Sequence, residues 1–544
     1  MLPLSKGAAV SSKLVVDVLA ERLAARGVRR FFGVPGGDCS LDLIAACARV
    51  DIEFVLTRDE TAAAIMASVT AELTGAPGVI MATRGPGLAN GVNGIAYAAL
   101  DRAPLLVLAD GYDPQLANVS HQRYDQHALM QPLVKGSGGL GGTDPGSDID
   151  ALLDRASSQP PGPVYVEMRG GEIRREVEDK GVRSLRPTGQ PPAARLPAGL
   201  IELLSSAQRP IIIAGLQACD AEASRALRGL VHAWNCPVLQ TYKSFGTVST
   251  DDPRAIGFYI GGVAEEAVLR QADLIVMYGL DAIEFPPHKW KYSAPVVEFS
   301  MHPFERNIVE PVHSLTGPLD AFARAIGEVV STADWGTDVL ADARTDLRRR
   351  GYAGQGKGPI TPQQLVDATI AVAPPGTRLA IDAGAHMLPV LHTWQVTQPR
   401  QSLISRGLAT MGFALPAAIA SALAQPDVPV VAFTGDGGLM MCAGELGTAA
   451  QQNCRFVVVV FNDASLTLIG AKQRRRELPN AGVDFSPADF AVVARGFGCL
   501  GIRVEAPGDL AAAMKTAFAH PGPVVVDVLV NPDAYTAQLL ALRG

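Results

Sequence analysis

Between Val428 and Asp463 the sequence reads VPVVAFTGDGGLMMCAGELGTAAQQNCRFVVVVFND. A short apolar run closes on Gly-Asp-Gly-Gly, a stretch of helical composition follows, and a second apolar run closes on Asn-Asp. Unbroken Val-rich runs suit strands buried on both faces, and the intervening helix makes the two strands parallel. That geometry sets Asp436 and Asp463 at the carboxyl ends of neighbouring strands, the edge where open α/β sheets bind ligands. Aspartate is a poor strand former and costly to bury, so both carboxylates need partners there. Neighbouring strands lie about 5 Å apart, so both side chains can converge on one cation. Gly435, Gly437 and Gly438 permit close backbone approach and leave amides at a helix start, where phosphate oxygens bind well. Two carboxylates completed by phosphate oxygens suit Mg²⁺. The unit reads as a magnesium–diphosphate clamp. A lone GDG is more often a plain turn; the second acidic residue, 27 positions on at the end of the next strand, separates the two readings.

The same rhythm recurs along the chain. At 544 residues it is too long for one core. Apolar runs alternate with helical stretches in three blocks: RRFFGVPG to GPVYVEM, RPIIIAGL to APVVEFS, and TRLAIDAG to GPVVVDVLV. Pro- and Gly-rich stretches at 183–197 and 348–362 lack apolar periodicity and read as linkers. The expectation is α/β: three doubly wound parallel-sheet domains, at 1–182, 198–335 and 360–544. The first and third blocks have similar lengths and rhythms.

Composition narrows the function. A net charge of -7 argues against nucleic acid and anionic membranes as partners. One local exception, KQRRRE at 472–477, reads as a solvated helix face or as a site for an anionic substrate. The seven cysteines are scattered and never spaced as CxxC, as expected of reduced thiols in the cytoplasm. The N-terminus turns charged and amphipathic too soon for a signal peptide, and no apolar run reaches membrane-span length.

A GDG followed at this spacing by Asn-Asp resembles the thiamine-diphosphate signature. The chain is similar nearly end to end to the acetolactate synthase and 2-oxo acid decarboxylase family. RGLATMGFALPAAIASALAQPDVPVVAFTGDGGLMM resembles that family's diphosphate domain, and TRDETAAAIMASVTAELTGAPGVIMATRGPG resembles its pyrimidine domain. The resemblance implies thiamine diphosphate and Mg²⁺ as cofactors, with Asp436, Asp463 and the Ser465 carbonyl as metal ligands and Leu466 beside the cofactor. Glu60, in LTRDETAAA, matches the glutamate that bonds the pyrimidine N1′. Met411 matches the bulky residue under the bent cofactor, and Ala409 a backbone carbonyl facing the aminopyrimidine. Gly36 and Gly37 fall on the cofactor-facing loop, with Asp38 as a substrate candidate. His121 and Gln122 align with the pair that faces the substrate. In the family two subunits share each cofactor, which implies a homodimer at least and a homotetramer commonly.

The substrate branch is less marked. YGLDAIEFPPHKW, with Glu284, Pro287 and Trp290, looks more like the FAD-independent catabolic branch, so FAD is not expected. Leu468 and Ile469 would line the acceptor side, and Lys472 stands where the biosynthetic branch has a substrate-selecting Trp. A lysine there would favour an acceptor with an extra negative charge. The implied activity is a carboligase: it decarboxylates a pyruvate-like 2-oxo acid and transfers the acyl carbanion equivalent to a second carbonyl compound. Simple decarboxylation, a 2-hydroxyacyl or acyl-CoA lyase, and a non-catalytic scaffold are the alternatives.

Overall fold

A computed structural model describes residues 12–116, 118–179, 181, 194–305, 308–354 and 360–544. Among them lie three six-stranded parallel sheets flanked by helices, and one two-stranded antiparallel ribbon. Two compact units contain them: Met1–Thr188 holds the first sheet, and Gly189–Gly544 holds the other two. The N-terminal segment 1–11, most of the linker at 183–197 and positions 355–359 of the second linker lie outside the described residues. Positions 348–351 end a helix rather than begin a linker.

The first sheet comprises β1 (Arg30–Val34), β2 (Glu53–Leu56), β3 (Gly78–Ala82), β4 (Leu105–Asp110), β5 (Ser137–Gly139) and β6 (Pro163–Met168), in the order 2-1-3-4-6-5. Strands β3, β4 and β6 are buried along their whole length, which is why their sequences are nearly all apolar. Helix α1 (Glu60–Thr74) follows β2. The Asp59 carboxylate caps it by accepting from the Ala62 amide at 3.0 Å, and Gly75 at φ +76° closes it. These caps fix Glu60 as the first helical residue, at the carboxyl edge of the sheet.

The central sheet has β7 (Pro210–Ala214), β8 (Val238–Gln240), β9 (Ala255–Phe258), β10 (Leu274–Tyr278), β11 (Val296–Ser300) and β12 (His313–Thr316), in the order 9-8-7-10-11-12. Helix α2 (Thr337–Gly351) follows it.

The third sheet has β13 (Arg378–Ile381), β14 (Ser402–Ile404), β15 (Val430–Gly435), β16 (Val457–Asn462), β17 (Leu500–Val504) and β18 (Val524–Leu529). Its order, 14-13-15-16-18-17, repeats that of the first sheet. The order reverses between β13 and β15, so a crevice opens at their carboxyl ends. The helices that frame it are α3 (Met387–Thr393), α4 (Ala414–Ala424), α5 (Asp436–Cys442), α6 (Thr467–Arg475) and α7 (Asp533–Arg543). The single helix expected after the GDGG turn is split. Helix α5 ends at Cys442, and a second helix spans Glu445–Gln451 beyond Gly444, a residue that weakens a helix interior.

Each sheet carries its own apolar core, with Phe31 and Leu108 in the first, Trp234 and Phe299 in the second, and Phe433 and Val459 in the third. Full burial of such a side chain stabilises by about 1.5–3 kcal/mol. The sheets are thus stiff platforms whose carboxyl-end loops stay free for chemistry.

Candidate active site

Register decides the site. Strands β15 and β16 pair in parallel, Gly435 opposite Phe461, which brings the residues after each strand together. Asp436 is 2% exposed. Its Oδ1 accepts from the Gly437 amide (2.7 Å), and its Oδ2 accepts from the amides of Asp463 (3.0 Å) and Ala464 (2.6 Å). Asp463 in turn accepts from the Ser465 amide (3.2 Å) and the Thr467 hydroxyl (2.6 Å). Ala464 reaches this geometry at φ +55°, which costs a residue with a side chain roughly 1–2 kcal/mol.

Neither carboxylate pairs with a lysine or arginine among the described residues. Burial raises the Asp436 carboxyl above its ordinary range. Burial likewise pushes Asp463 up to about 7, opposed by the Thr467 hydrogen bond and reinforced by the charge of Asp436. One buried and one half-buried carboxylate side by side fit a divalent cation. No group of three or more His, Cys, Asp or Glu suited to a metal occurs among the described residues, so these two carboxylates would be completed by other oxygens.

The walls fit a diphosphate. A Cβ on Gly437 would come within 2.8 Å of Leu466, and one on Gly438 within 2.3 Å of Asp382 Oδ2, so both positions stay bare backbone at the start of α5. His386 is 5% exposed, stacks on Phe461 with ring centroids 5.5 Å apart, and leaves its buried Nε2 without a hydrogen-bond partner. Asp382, at the end of β13, accepts from the amides of Gly412 (3.2 Å) and Phe413 (2.8 Å) and from the Thr434 hydroxyl (2.7 Å). It thereby ties the loop carrying Met411 to the two strands beside the crevice. Ala409, in the same loop, sits at φ +53°.

One cavity of about 340 Å³ gathers Ala409, Met411, Gly435, Asp436, Gly437, Gly438, Asp463, Ser465, Leu466, Leu468, Ile469 and Lys472. Its wall also includes residues that the sequence reading passed over: His386, Tyr242, Arg406, Tyr535 and Arg543. The DAGAH segment at the end of the third block's first apolar run held the clue to His386, since it marks another carboxyl-end tip of the same sheet. The basic run at 472–477 divides. Lys472 lines the cavity, whereas Arg474 and Arg475 reach the C-terminal helix α7, at Thr536 Oγ1 (3.4 Å) and the Gly544 oxygen (2.7 Å).

The remaining sequence-predicted residues lie in the N-terminal unit, along the carboxyl edge of its sheet. Glu60 is 7% exposed; its Oε2 accepts from Asn90 Nδ2 at 2.7 Å. A Cβ on Gly87 would stand 3.0 Å from Oε1, so glycine there keeps that oxygen approachable. Gly36 packs so closely that a Cβ would meet Asp110 and Thr83 within 2.5 Å, while Gly37 faces open space. Asp38 is engaged by Arg174 (2.9 Å) and Arg84 (3.5 Å). His121 and Gln122 are exposed on the segment after β4. Gln122 stands at φ +62°, its carbonyl accepting from the Tyr112 hydroxyl.

The central sheet has its own reversal, between β7 and β10, and a side chain fills it. Glu284 is 1% exposed. Its Oε2 accepts from the amides of Leu216 (2.8 Å) and Asp281 (3.0 Å), and its Oε1 from the Thr241 hydroxyl. Burial pushes this carboxyl up from 4.5 to about 7 against those hydrogen bonds. The folded chain therefore keeps a proton that the unfolded chain releases. The contribution to stability is full below about pH 4.5 and is lost as pH rises to about 7. Glu284→Gln, neutral throughout, should gain thermal stability over the parent across that window, by on the order of 3 kcal/mol at its upper end. Equal differences in unfolding midpoint at pH 4.5 and 7.5 would refute this.

A doubly wound α/β edge with paired carboxylates over a glycine-lined helix start has the features of a diphosphate site. The sequence matches agree in all three sheets. Residues 14–133 match the N-terminal TPP binding domain of the thiamine pyrophosphate enzymes, 198–326 their central domain and 382–528 their C-terminal TPP binding domain. The chain belongs to the thiamine pyrophosphate enzyme family. It is 29% identical over 535 residues to the catabolic acetolactate synthase of Raoultella terrigena, covering 95% of this chain and 94% of that one. The acetolactate synthase of Bacillus subtilis (strain 168) is 28% identical over 536 residues, 96% and 93% of the two chains. The acetolactate synthase isozyme 2 large subunit of Escherichia coli (strain K12) is 27% identical over 546 residues, 95% and 97%.

Proposed function

We propose that the protein is a thiamine diphosphate- and Mg²⁺-dependent carboligase of the acetolactate synthase type. The observation that carries this reading is the meeting of Asp436 and Asp463 beside the backbone of Gly437 and Gly438, which has no room for a side chain. When bound, thiamine diphosphate supplies a carbanion at its thiazolium C2 and the electron sink for loss of CO₂ from a 2-oxo acid. Asp436, Asp463 and the Ser465 carbonyl would hold the metal. The amides at the start of α5 would hold the diphosphate. Met411 and Leu466 give the apolar support, and Ala409, Gly36 and Gly37 present backbone. Glu60 holds and returns a proton at the pyrimidine N1′. Gln122 donates to the substrate carbonyl, and His121 faces the substrate beside it.

The central sheet is proposed to work without a flavin, because Glu284 already occupies the amides at its reversal point. The active form is proposed to be a cytoplasmic homodimer or homotetramer, in keeping with the family resemblance and seven free thiols. Among the described residues no helix is long and apolar enough to cross a membrane.

Purified protein given thiamine diphosphate, Mg²⁺ and a panel of 2-oxo acids tests the activity, with CO₂ followed and products identified by mass. A hydroxy-ketone formed by ligation supports it; free aldehyde alone assigns simple decarboxylation, and no turnover on any acid overturns both. Leu468 and Ile469 give the acceptor an apolar wall, while Lys472, Arg406 and Arg543 add positive charge to it. Lys472→Ala should lower the preference for a doubly charged over a singly charged acceptor about fivefold, the worth of roughly 1 kcal/mol for a solvent-exposed charge. An unchanged ratio of kcat/KM values would remove Lys472 from acceptor selection.

A further inference from the structure

Within the Gly189–Gly544 unit a second cavity, of about 80 Å³, lies away from the diphosphate crevice. Its walls come from β9 of the central sheet, from α2, and from the end of α3 in the third domain. Arg344 and Arg348, one turn apart on α2, both line it. Arg344 Nη2 donates to the Thr250 carbonyl at 2.9 Å, and neither guanidinium forms an ion pair among the described residues. The acids whose charges reach Arg344 are Asp251 and Asp252, and Asp252 is already held by Arg254 at 2.8 and 3.0 Å. Like charges at this helical spacing repel, and partial burial of Arg344 adds to the cost.

His392 completes the wall. Its ring meets Phe258 edge-on at 5.1 Å, and its buried Nε2 has no hydrogen-bond partner. Burial holds this imidazole neutral, its pKa lowered to about 3, so it can offer one N–H without adding charge. An unpartnered buried polar atom forfeits the hydrogen bonds it made to water in the unfolded chain. Arg344 without an ion pair of its own, the exposed Arg348 and an orphan imidazole nitrogen line one small cavity, and an anion is the ligand that complements all three. At about 80 Å³ the cavity is roughly a quarter the size of the diphosphate crevice and suits a small ion.

We propose that this cavity binds a small oxyanion, held by Arg344, Arg348 and His392 Nε2, which joins the central sheet to the third. Inorganic phosphate and a small carboxylate share the required chemistry. The test is the thermal unfolding midpoint of protein saturated with thiamine diphosphate and Mg²⁺, titrated with inorganic phosphate, with acetate, and with chloride at matched ionic strength. A saturable rise with phosphate assigns the inorganic ion, and one with acetate alone assigns a carboxylate. Arg348→Gln, at an exposed position, should weaken the apparent affinity at least tenfold, the loss of one charge-assisted hydrogen bond. Arg349→Gln, which removes the same charge from a neighbour paired with Asp346, should leave it unchanged. The proposal fails if phosphate and acetate both behave as chloride does, or if the two variants respond alike.

Discussion

Glutamine at position 60 should lower turnover by roughly 10²- to 10⁴-fold, the usual worth of a positioned acid–base group, and leave cofactor affinity within about tenfold. The substitution keeps the shape of the side chain. Its amide oxygen can still accept from Asn90 Nδ2, and the helix cap supplied by Asp59 is untouched. What disappears is the ability to hold and release a proton. Glu60 is nearly enclosed, and Gly87 leaves its second oxygen approachable, so the position suits proton exchange with a bound ring better than a mere surface charge at a helix start. Steady-state kinetics and calorimetric titration of the cofactor separate the two quantities. A turnover within about tenfold of the parent would reduce Glu60 to a structural acid at a helix N-terminus.

The buried interior of the fold was legible because period and burial coincide there. Strands flanked on both sides, such as β3, β4, β15 and β16, are apolar along most of their length and stand out as Val-, Ile- or Leu-rich runs. Within the six-stranded sheets, the four described strands that the runs did not reveal are Ser137–Gly139, Ala255–Phe258, His313–Thr316 and Leu500–Val504, and each lies at the edge of its sheet. An edge strand is covered less completely, so selection for apolar side chains is relaxed and the pattern fades into that of a loop. The site divides in the same way. Asp436 and Asp463 announce themselves because carboxylates at strand ends are anomalous. Asn90, Asp382 and Arg543 are ordinary residues in ordinary contexts, and only the folded chain brings them to Glu60, to the Met411 loop and to the cavity wall.

Asparagine at position 436 should abolish activity through the loss of bound cofactor rather than through the chemical step. The amide is nearly isosteric, and its one oxygen can still accept from the Asp463 and Ala464 amides, so the turn after β16 should keep its course. The other terminal atom becomes an NH₂ facing the Gly437 amide, which replaces a hydrogen bond with a donor–donor contact. Half of the negative charge available to a divalent ion goes with it. Removing one partner of a buried charge pair costs about 2–5 kcal/mol, so thiamine diphosphate with Mg²⁺ should bind roughly 30- to 4000-fold more weakly. The two variants therefore part company: Glu60→Gln loads and turns over slowly, whereas Asp436→Asn does not load. Calorimetry with both components present reads the difference directly. Uptake by Asp436→Asn with parental affinity would mean that Asp436 only shapes the turn, and that the metal, if one binds, is held elsewhere.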